Sequence, residues 1–223
     1  GAWNDVGGGL SRSVGVYQEA EIDEDALARP DLLGDRDPRT LNMSRLGEAL
    51  TDESLDPPVR ALVLWNANPV VTVPNAELTR RGLADERLFM VAHEQFLTDT
   101  ARYADVIFPA TTQIEQDDLV VSWGHLWFGW NNKAIEPRGE ACRNTEFFRR
   151  LATAMGYDEP ALFATDDELL TAAFGKRIDL AELRATGWLH AAYPADGRPF
   201  GDGVFPTASG RVEFVNHRLA DVG

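Results

Sequence analysis

The side chains best suited to ligand binding in this chain follow three short apolar runs. They are Asn66 and Asn68 after residues 61–65, His93 and Glu94 after residues 88–92, and the polar segment 111–116, which contains Gln116, after residues 106–108. Near-continuous apolar runs separated by helical segments are typical of parallel strands, which are buried on both faces. Ligands of such sheets sit at the carboxyl ends of the strands. The sequence therefore predicts a binding crevice formed by these loops.

The residue types in these loops suit hydrogen bonding to a nucleotide. Asn68 donates and accepts through one short side chain, and an acid such as Glu94 after the second strand commonly accepts hydrogen bonds from ribose hydroxyls. His93 would contact the base or the ribose. Each residue also has a purely structural interpretation: Asn68 as the cap of the turn before Pro69, and His93 as an ordinary surface or hydrogen-bonded histidine. No partners for a metal or general-base role of His93 are evident.

The elements that position these loops are predicted to form an α/β fold, with a parallel sheet flanked by helices. Parallel strands are expected at about residues 60–65, 88–93 and 105–109. Helices are expected at residues 23–29, 42–50, from Pro74 to Leu83, from a Thr98 cap, and at 145–155, 165–174 and 179–184. The aromatic stretch 122–130 predicts a packed hairpin or extended segment, and residues 205–214 predict a turn followed by a strand.

Composition excludes several classes of function. The net charge of −15 argues against an electrostatic surface for nucleic acid. Cys142 is the only cysteine, which excludes an intrachain disulfide and a cysteine-ligated cluster within this chain. No apolar run reaches the roughly 20 residues of a membrane span, and no secretory signal is present, so a cytoplasmic location is expected, with export of a longer parent left open. Glu115, Asp117 and Asp118 are interpreted as solvated acids rather than a Mg²⁺ site.

Several strings together carry a family resemblance. They are residues 43–50 (MSRLGEAL) leading into 57–62 (PPVRAL), 66–69 (NANP), 97–101 (LTDTA), 103–110 (YADVIFPA), 115–118 (EQDD), 123–125 (WGH), 135–140 (IEPRGE) and the tail 207–214 (TASGRVEF). In this order and spacing they resemble the molybdopterin oxidoreductases of the dimethyl sulfoxide reductase class, which include formate dehydrogenases and nitrate reductases.

The resemblance implies a fragment of a longer parent enzyme. Such enzymes bind two molybdopterin guanine dinucleotides around one molybdenum or tungsten. Their missing parts would supply the metal ligand, often an iron–sulfur cluster, and a carboxy-terminal barrel. Residues 41–160 would form the third, Rossmann-like domain and bind one guanosine end, with a lead-in at 1–40 and a helical extension and strand at 161–223. Partners would be the remaining domains and an electron-transfer subunit, and the isolated chain should be inactive.

The same resemblance assigns cofactor-binding roles to individual residues. Asn68 matches the pterin-dinucleotide contact in its loop, and Asn66 is a weaker candidate of the same kind. His93 and Glu94 match a Ser or His followed by an acid. Gln116 stands where some relatives have a cofactor-binding Lys, and Asn144 matches an Asp or Asn that reads the guanine edge. No catalytic residue and no metal ligand is assigned.

A second hypothesis comes from a different class of protein. The chain would then be a stand-alone α/β module that binds a nucleotide or a protein partner without redox chemistry. A hydrolase is disfavoured because the sequence lacks a G-x-S-x-G motif. If the chain is instead part of a larger protein, apolar residues should be exposed where its neighbours lie, especially at residues 123–130 and near Phe214.

Overall fold

The computed structural model of the protein describes residues 5–6, 21–121, 125–192, 196–198, 200–205 and 207–215. The regular elements are α1 (Glu24–Ala28), α2 (Leu46–Thr51), β1 (Ala61–Trp65), α3 (Pro69–Thr72), α4 (Ala76–Leu83), β2 (Phe89–Glu94), β3 (Val106–Pro109), β4 (Asp118–Val120), β5 (Trp127–Asn131), α5 (Asn144–Ala154), α6 (Asp166–Phe174), α7 (Leu180–Thr186) and β6 (Trp188–His190). Short 3₁₀ turns cover Pro30–Leu32, Met43–Arg45, Ala101–Tyr103, Gln113–Glu115 and Pro160–Phe163. Of the expected lead-in at residues 1–40, only residues 5–6 and 21–40 are among the described residues.

The first sheet contains the three strands that the apolar runs predicted. Its order is β1-β2-β3, and both pairings are parallel. Trp65 pairs with His93 and His93 with Phe108, so the last residues of the strands lie side by side. The predicted α/β fold with a parallel sheet flanked by helices is confirmed.

On one face of this sheet β1 and β2 are buried against α2 and α4. Strand β3, at the edge, is exposed along its length, so the burial on both faces expected of the three strands is wrong for β3. Leu64, Met90 and Ala92 on this face pack with Val70, Leu83 and Leu88 in one apolar cluster. The two helices approach each other at glycines: a Cβ on Gly47 would lie 2.8 Å from the Thr79 backbone nitrogen. Burial alternates along β1 and most of β2 because successive side chains of a strand point to opposite faces of the sheet.

The other face of the sheet is covered mainly near the carboxyl ends of its strands. There α5 places Phe147 against His93 and Phe108, and Phe148 against Trp65. At the opposite end of the same face, Phe89 is 52% exposed. Helix α5 is the amphipathic helix expected from residue 145, and it stops at Gly156, whose φ of 74° suits the left-handed position after a helix.

A second sheet was not predicted. Strands β4, β5 and β6 form an antiparallel sheet in that order. Its core contains Phe128 and Leu183, both fully buried, together with Phe174 from α6. Only the extended aromatic segment in its centre was anticipated. The sheet joins the segment after β3 to the carboxy-terminal helices.

Several local predictions are confirmed, and others need correction. Helix α6, predicted at residues 165–174, begins with a capping box of Thr165 and Glu168. The Thr98 hydroxyl accepts from the Ala101 N–H at 3.1 Å, but the helix expected after Thr98 is only the 3₁₀ turn Ala101–Tyr103, whose N-cap is Thr100. Pro74 does not lie in a first helical turn, because Asn75 caps α4; Pro69 holds that position in α3 instead. The strand predicted for the tail is wrong: residues 207–215 contain turns and bends, because no neighbouring strand pairs with them among the described residues.

The prediction of exposed aromatic residues is confirmed in part. Phe214 is 96% exposed and Trp127 is 45% exposed, whereas Phe128 is fully buried. Trp123 lies outside the described residues. Within the described part of the chain, no helix has the length and apolar character needed to cross a membrane.

The close approach of α2 and α4 gives a stability prediction. Gly47→Ala should lower the free energy of unfolding by about 1–3 kcal/mol, because the added methyl meets Thr79 backbone that cannot yield. Gly129→Ala is the matched control: its Cβ would lie 3.6 Å from Val120, an ordinary contact. Urea unfolding should show a change within about 0.5 kcal/mol for the control. Equal effects for the two variants would contradict the prediction.

Candidate functional site

A cavity of about 490 Å³ lies at the carboxyl ends of the first sheet. We call it the strand-end cavity. Its lining includes the six residues singled out in the sequence, namely Asn66, Asn68, His93, Glu94, Gln116 and Asn144. The predicted convergence of distant loops on one concavity is therefore confirmed, whereas binding of a cofactor there stays a prediction.

The loop after β1 is held by backbone conformation and by a buried threonine. Asn66 has a φ of 51°, a left-handed conformation that asparagine tolerates better than most residues. The backbone carbonyl of Asn68 accepts hydrogen bonds from the first turn of α3. Its side chain does not cap that helix, and the Asn68 Oδ1 accepts instead from the hydroxyl of Thr100 at 2.7 Å. The capping interpretation of the Asn68 side chain is wrong.

His93 forms the buried wall of the cavity. It is 1% exposed, and its ring stacks on Phe147 at 4.4 Å with an interplanar angle of 8°. Neither ring nitrogen has a hydrogen-bond partner of standard geometry. Burial lowers the pKa of His93, and the nearby backbone of Phe108, the Glu94 charge and the Cys142 backbone oppose that shift only in part. Buried imidazole nitrogens without standard hydrogen bonds are unusual in a folded protein, and His93 lies at the wall of the cavity.

Hydrogen bonds hold the side chains of both Glu94 and Gln116. The Glu94 carboxylate accepts the Gln95 N–H at 2.8 Å and remains half-buried. The Gln116 Oε1 accepts from the Thr111 hydroxyl at 2.6 Å, while its Nε2 donates to Asp118 at 3.3 Å. Both side chains are thus oriented before any ligand arrives.

The acids at residues 115–118 do not share one environment. Glu115 is 7% exposed and accepts hydrogen bonds from the Thr112 N–H and hydroxyl and from the Arg138 N–H. The Thr112 backbone contact contributes most to lowering the pKa of Glu115. Its interpretation as a solvated acid is wrong, because it closes a capping box. No cluster of metal-ligating side chains occurs among the described residues.

A second cavity of about 630 Å³ adjoins the first. The two share Gln116, Asp118 and Asn144. We call it the adjoining cavity; its walls are partly apolar, with Trp130 and Phe174 among its lining residues. Burial raises the pKa of Asp118, which lies where the two cavities meet. Together they offer hydrogen-bonding groups next to apolar surface.

An ion-pair network fixes the start of α5 between the cavities. Asp166 pairs with Arg143 and, at 2.6 Å, with Arg149. Burial would raise the pKa of Asp166, but the nearby Thr145 hydroxyl and the two guanidinium groups outweigh it and lower the pKa to about 2. The Thr145 hydroxyl itself makes no hydrogen bond of standard geometry. Asn144, the first residue of α5, is held in place by this network.

Some residues of the site were not singled out from the sequence. Thr100 lies behind the cavity, and its only local signal is a hydroxyl residue close to a helix start. Thr111 belongs to the polar segment 111–116 but was given no role of its own, and it lines the cavity. Asp118 was judged a solvated acid, although it lines both cavities. Its role depends on β4 pairing with β5, which no local pattern revealed.

Comparisons with known proteins agree with one another. The sequence model of the family described as Molybdopterin oxidoreductase matches residues 38–154. The "Probable oxidoreductase YoaE" of Bacillus subtilis (strain 168) is 37% identical over 231 residues, which cover 100% of this chain and 33% of that protein. The "Acetylene hydratase" of Syntrophotalea acetylenica is 28% identical over 168 residues, covering 74% of this chain and 23% of that protein.

Among solved structures, the "Acetylene Hydratase from Pelobacter acetylenicus" superposes with a TM-score of 0.66 at 25% identity. The match covers 82% of this chain and 25% of that chain. This chain thus spans a third or less of the length of these relatives.

The Asp166 network predicts a pH-dependent loss of stability. Asp166→Asn should reduce the free energy of unfolding at pH 7 by about 1–3 kcal/mol, because two guanidinium groups lose their charged acceptor. The folded pKa of about 2 lies below the ordinary value of 3.8. The wild-type advantage is therefore complete above pH 3.8 and disappears as the pH falls through this window.

Urea unfolding at several pH values measures this difference. Asp167→Asn is the control, because its partner Arg184 and the 77% exposed Asp167 side chain form a surface pair, for which a change within about 0.5 kcal/mol is expected. A constant gap between wild type and Asp166→Asn down to pH 2 would refute the assignment.

His93 gives a second prediction. His93→Phe should leave stability unchanged or raise it by up to about 1 kcal/mol, because the stack on Phe147 is retained and two unpaired nitrogens are removed. His93→Ala should lose about 2–4 kcal/mol by leaving a void. Because burial lowers the pKa of His93 from 6.5, the wild type alone should lose stability from this group as the pH falls below that value. Equal destabilisation by Phe and Ala in urea unfolding would show that the nitrogens have partners in the folded protein.

Proposed function

This chain belongs to the molybdopterin oxidoreductase family, and from that premise we propose that it binds the guanosine end of a molybdopterin guanine dinucleotide within a longer molybdenum or tungsten oxidoreductase. The observation that carries the proposal is the convergence of six polar residues from four separate segments of the chain on the strand-end cavity. The large relatives of the chain support the view that it acts together with further domains. An electron-transfer partner is part of the same proposal.

The charge of the cavity indicates which part of the dinucleotide fits. Glu94 and Asp118 both contribute carboxylates, and no Lys or Arg occurs among the described residues that line the strand-end cavity. A diphosphate placed there would meet like charge. An uncharged nucleoside instead brings ribose hydroxyls and base N–H groups, which carboxylates accept. The lining therefore fits the guanosine rather than the phosphates.

The adjoining cavity offers apolar surface against which the faces of a purine ring can pack. Trp130, Leu170 and Phe174 contribute apolar surface there, beside the shared carboxylate of Asp118. Buried His93 contributes part of the wall of the strand-end cavity. Mixed polar and apolar lining of this kind is usual for cofactor sites.

The roles of the residues follow from these surroundings. Glu94 would accept hydrogen bonds from the ribose, Asn68 and Gln116 would hydrogen-bond through their carboxamides, and Asn144 would contact the base from the start of α5. The bound cofactor and its metal would supply the redox chemistry, while the chain binds and orients one end of it. The isolated chain should accordingly show no turnover of its own.

Nucleotide analysis tests the proposal directly. The gene should be expressed with its flanking coding sequence, and the purified protein hydrolysed in acid, which cleaves the diphosphate and releases the nucleotide end as a monophosphate. We expect GMP together with molybdenum or tungsten. Release of AMP, or of no nucleotide from a metal-free protein, would refute the proposed function and favour a stand-alone binding module.

Glu94→Ala tests the site in the same protein. Loss of a charged acceptor should weaken cofactor binding at least about 10-fold, so that less GMP is retained after gel filtration. Folding should be little affected, since Glu94 lies at a strand end. Glu77→Ala on the exposed face of α4 is the control, as the Glu77 side chain is 80% exposed. Undiminished GMP in Glu94→Ala would contradict the assignment.

A further inference from the structure

Two buried threonines stand behind the carboxamides of the strand-end cavity. Thr100 is fully buried and Thr111 is 5% exposed. The Thr100 hydroxyl contacts Asn68 Oδ1 at 2.7 Å, and the Thr111 hydroxyl contacts Gln116 Oε1 at 2.6 Å. Neither threonine is a ligand-binding candidate by itself. Each decides which end of a neighbouring carboxamide is free.

The surroundings of Thr100 determine which atom accepts its hydroxyl proton. Thr100 Oγ1 accepts the Val70 N–H at 3.0 Å, and because Thr100 is fully buried, its own proton needs an acceptor within the protein. Asn68 Oδ1 is that acceptor. The opposite orientation of the Asn68 amide would direct an NH₂ group at the hydroxyl and leave its proton unpaired, at the full penalty of a buried unsatisfied donor.

The orientation of Gln116 is determined from two sides. Its Oε1 accepts the Thr111 hydroxyl, and its Nε2 donates to Asp118 Oδ2 at 3.3 Å. Exchanging the two ends of the amide would place a carbonyl oxygen against the Asp118 carboxylate, where two acceptors face each other without a proton. Both contacts therefore require the same orientation.

We propose that Thr100 and Thr111 are positioning residues that fix the hydrogen-bond polarity of the strand-end cavity, so that Asn68 and Gln116 present NH₂ donors to the ligand. Asn68 Nδ2 has no hydrogen-bond partner among the described residues, and Gln116 Nε2 keeps one proton beyond its contact with Asp118. These two donors complement the acceptors Glu94 and Asp118. The cavity then selects an uncharged ligand with carbonyl or ring-nitrogen acceptors as well as hydroxyl or N–H donors.

The choice of guanosine as that ligand rests on the proposed function, whereas the orientation of the amides does not. The first measurement is therefore made without ligand, on the side-chain amide NMR signals of Asn68 and Gln116 in the ¹⁵N-labelled chain. Thr100→Val should shift or broaden the Asn68 signals and spare those of Gln116, and Thr111→Val should do the reverse. Thr100→Ser and Thr111→Ser, which keep the hydroxyl, should preserve both sets.

The second measurement titrates guanosine into the same variants. Each valine variant should bind about 3- to 10-fold more weakly, and each serine variant should bind as the wild type does. Asn68→Asp and Gln116→Glu replace the presented NH₂ by oxygen at constant shape and should weaken binding by about 10-fold or more. If a valine variant fails to fold, these two variants test the inference in its place. Asn75→Asp adds the same charge at the exposed cap of α4 and is the control.

The possible outcomes distinguish a failure of this inference from a failure of the proposed function. Unmoved amide signals in both valine variants, serine variants as weak as valine variants, or unimpaired binding by Asn68→Asp and Gln116→Glu would overturn the inference. A wild type that binds no guanosine, although its amide signals respond to loss of each hydroxyl as expected, would refute the proposed ligand and support the fixed orientation.

Discussion

The parallel hydrogen bonding of β1, β2 and β3 is the constraint on which the rest of the structure depends. Because the strands run in one direction, all three end at one edge, and the loops that follow them must meet there. The register pairs Trp65 with His93 and His93 with Phe108. A shift by one residue would turn His93 to the opposite face, away from Phe147. The cavity and the covering of its buried wall by α5 both follow from this pairing.

The second sheet positions the residues of the site that the first sheet does not. Asp118 and Gln116 reach the cavity because the segment after β3 continues into β4, which is held by pairing with β5. The Asn131 side chain donates to the backbone carbonyls of Gln113 and Gln116 at 2.6 and 2.8 Å and ties this segment to β5. The Asp166 ion pairs hold the start of α5 on the other side. The site is therefore shared by two sheets rather than built on one.

The sequence predicted the structural features that depend on local patterns of residues. The three apolar runs identified the parallel strands, and polar residues directly after them identified Asn68, His93 and Glu94. The helices with capping residues, such as the one that starts at Thr165, were also predictable. Strands β4 and β6 were not, since each has three residues and depends on pairing with β5, which for β6 is distant in the chain. The burial of Glu115 and the positions of Thr100 and Thr111 likewise depend on tertiary contacts, which no periodicity records.

The partly uncovered face of the first sheet affects how the chain behaves in solution. Val63 and Val106 flank Val91 in one row across the three strands, and Phe89 follows in the next row. Val63 and Val106 are each 37% exposed, so a continuous apolar strip faces solvent. A net charge of −15 opposes the meeting of two such strips at neutral pH. That repulsion vanishes toward the isoelectric point near 4.6, so the colloidal stability of the chain depends on its acidic surface, and mild acid favours its precipitation.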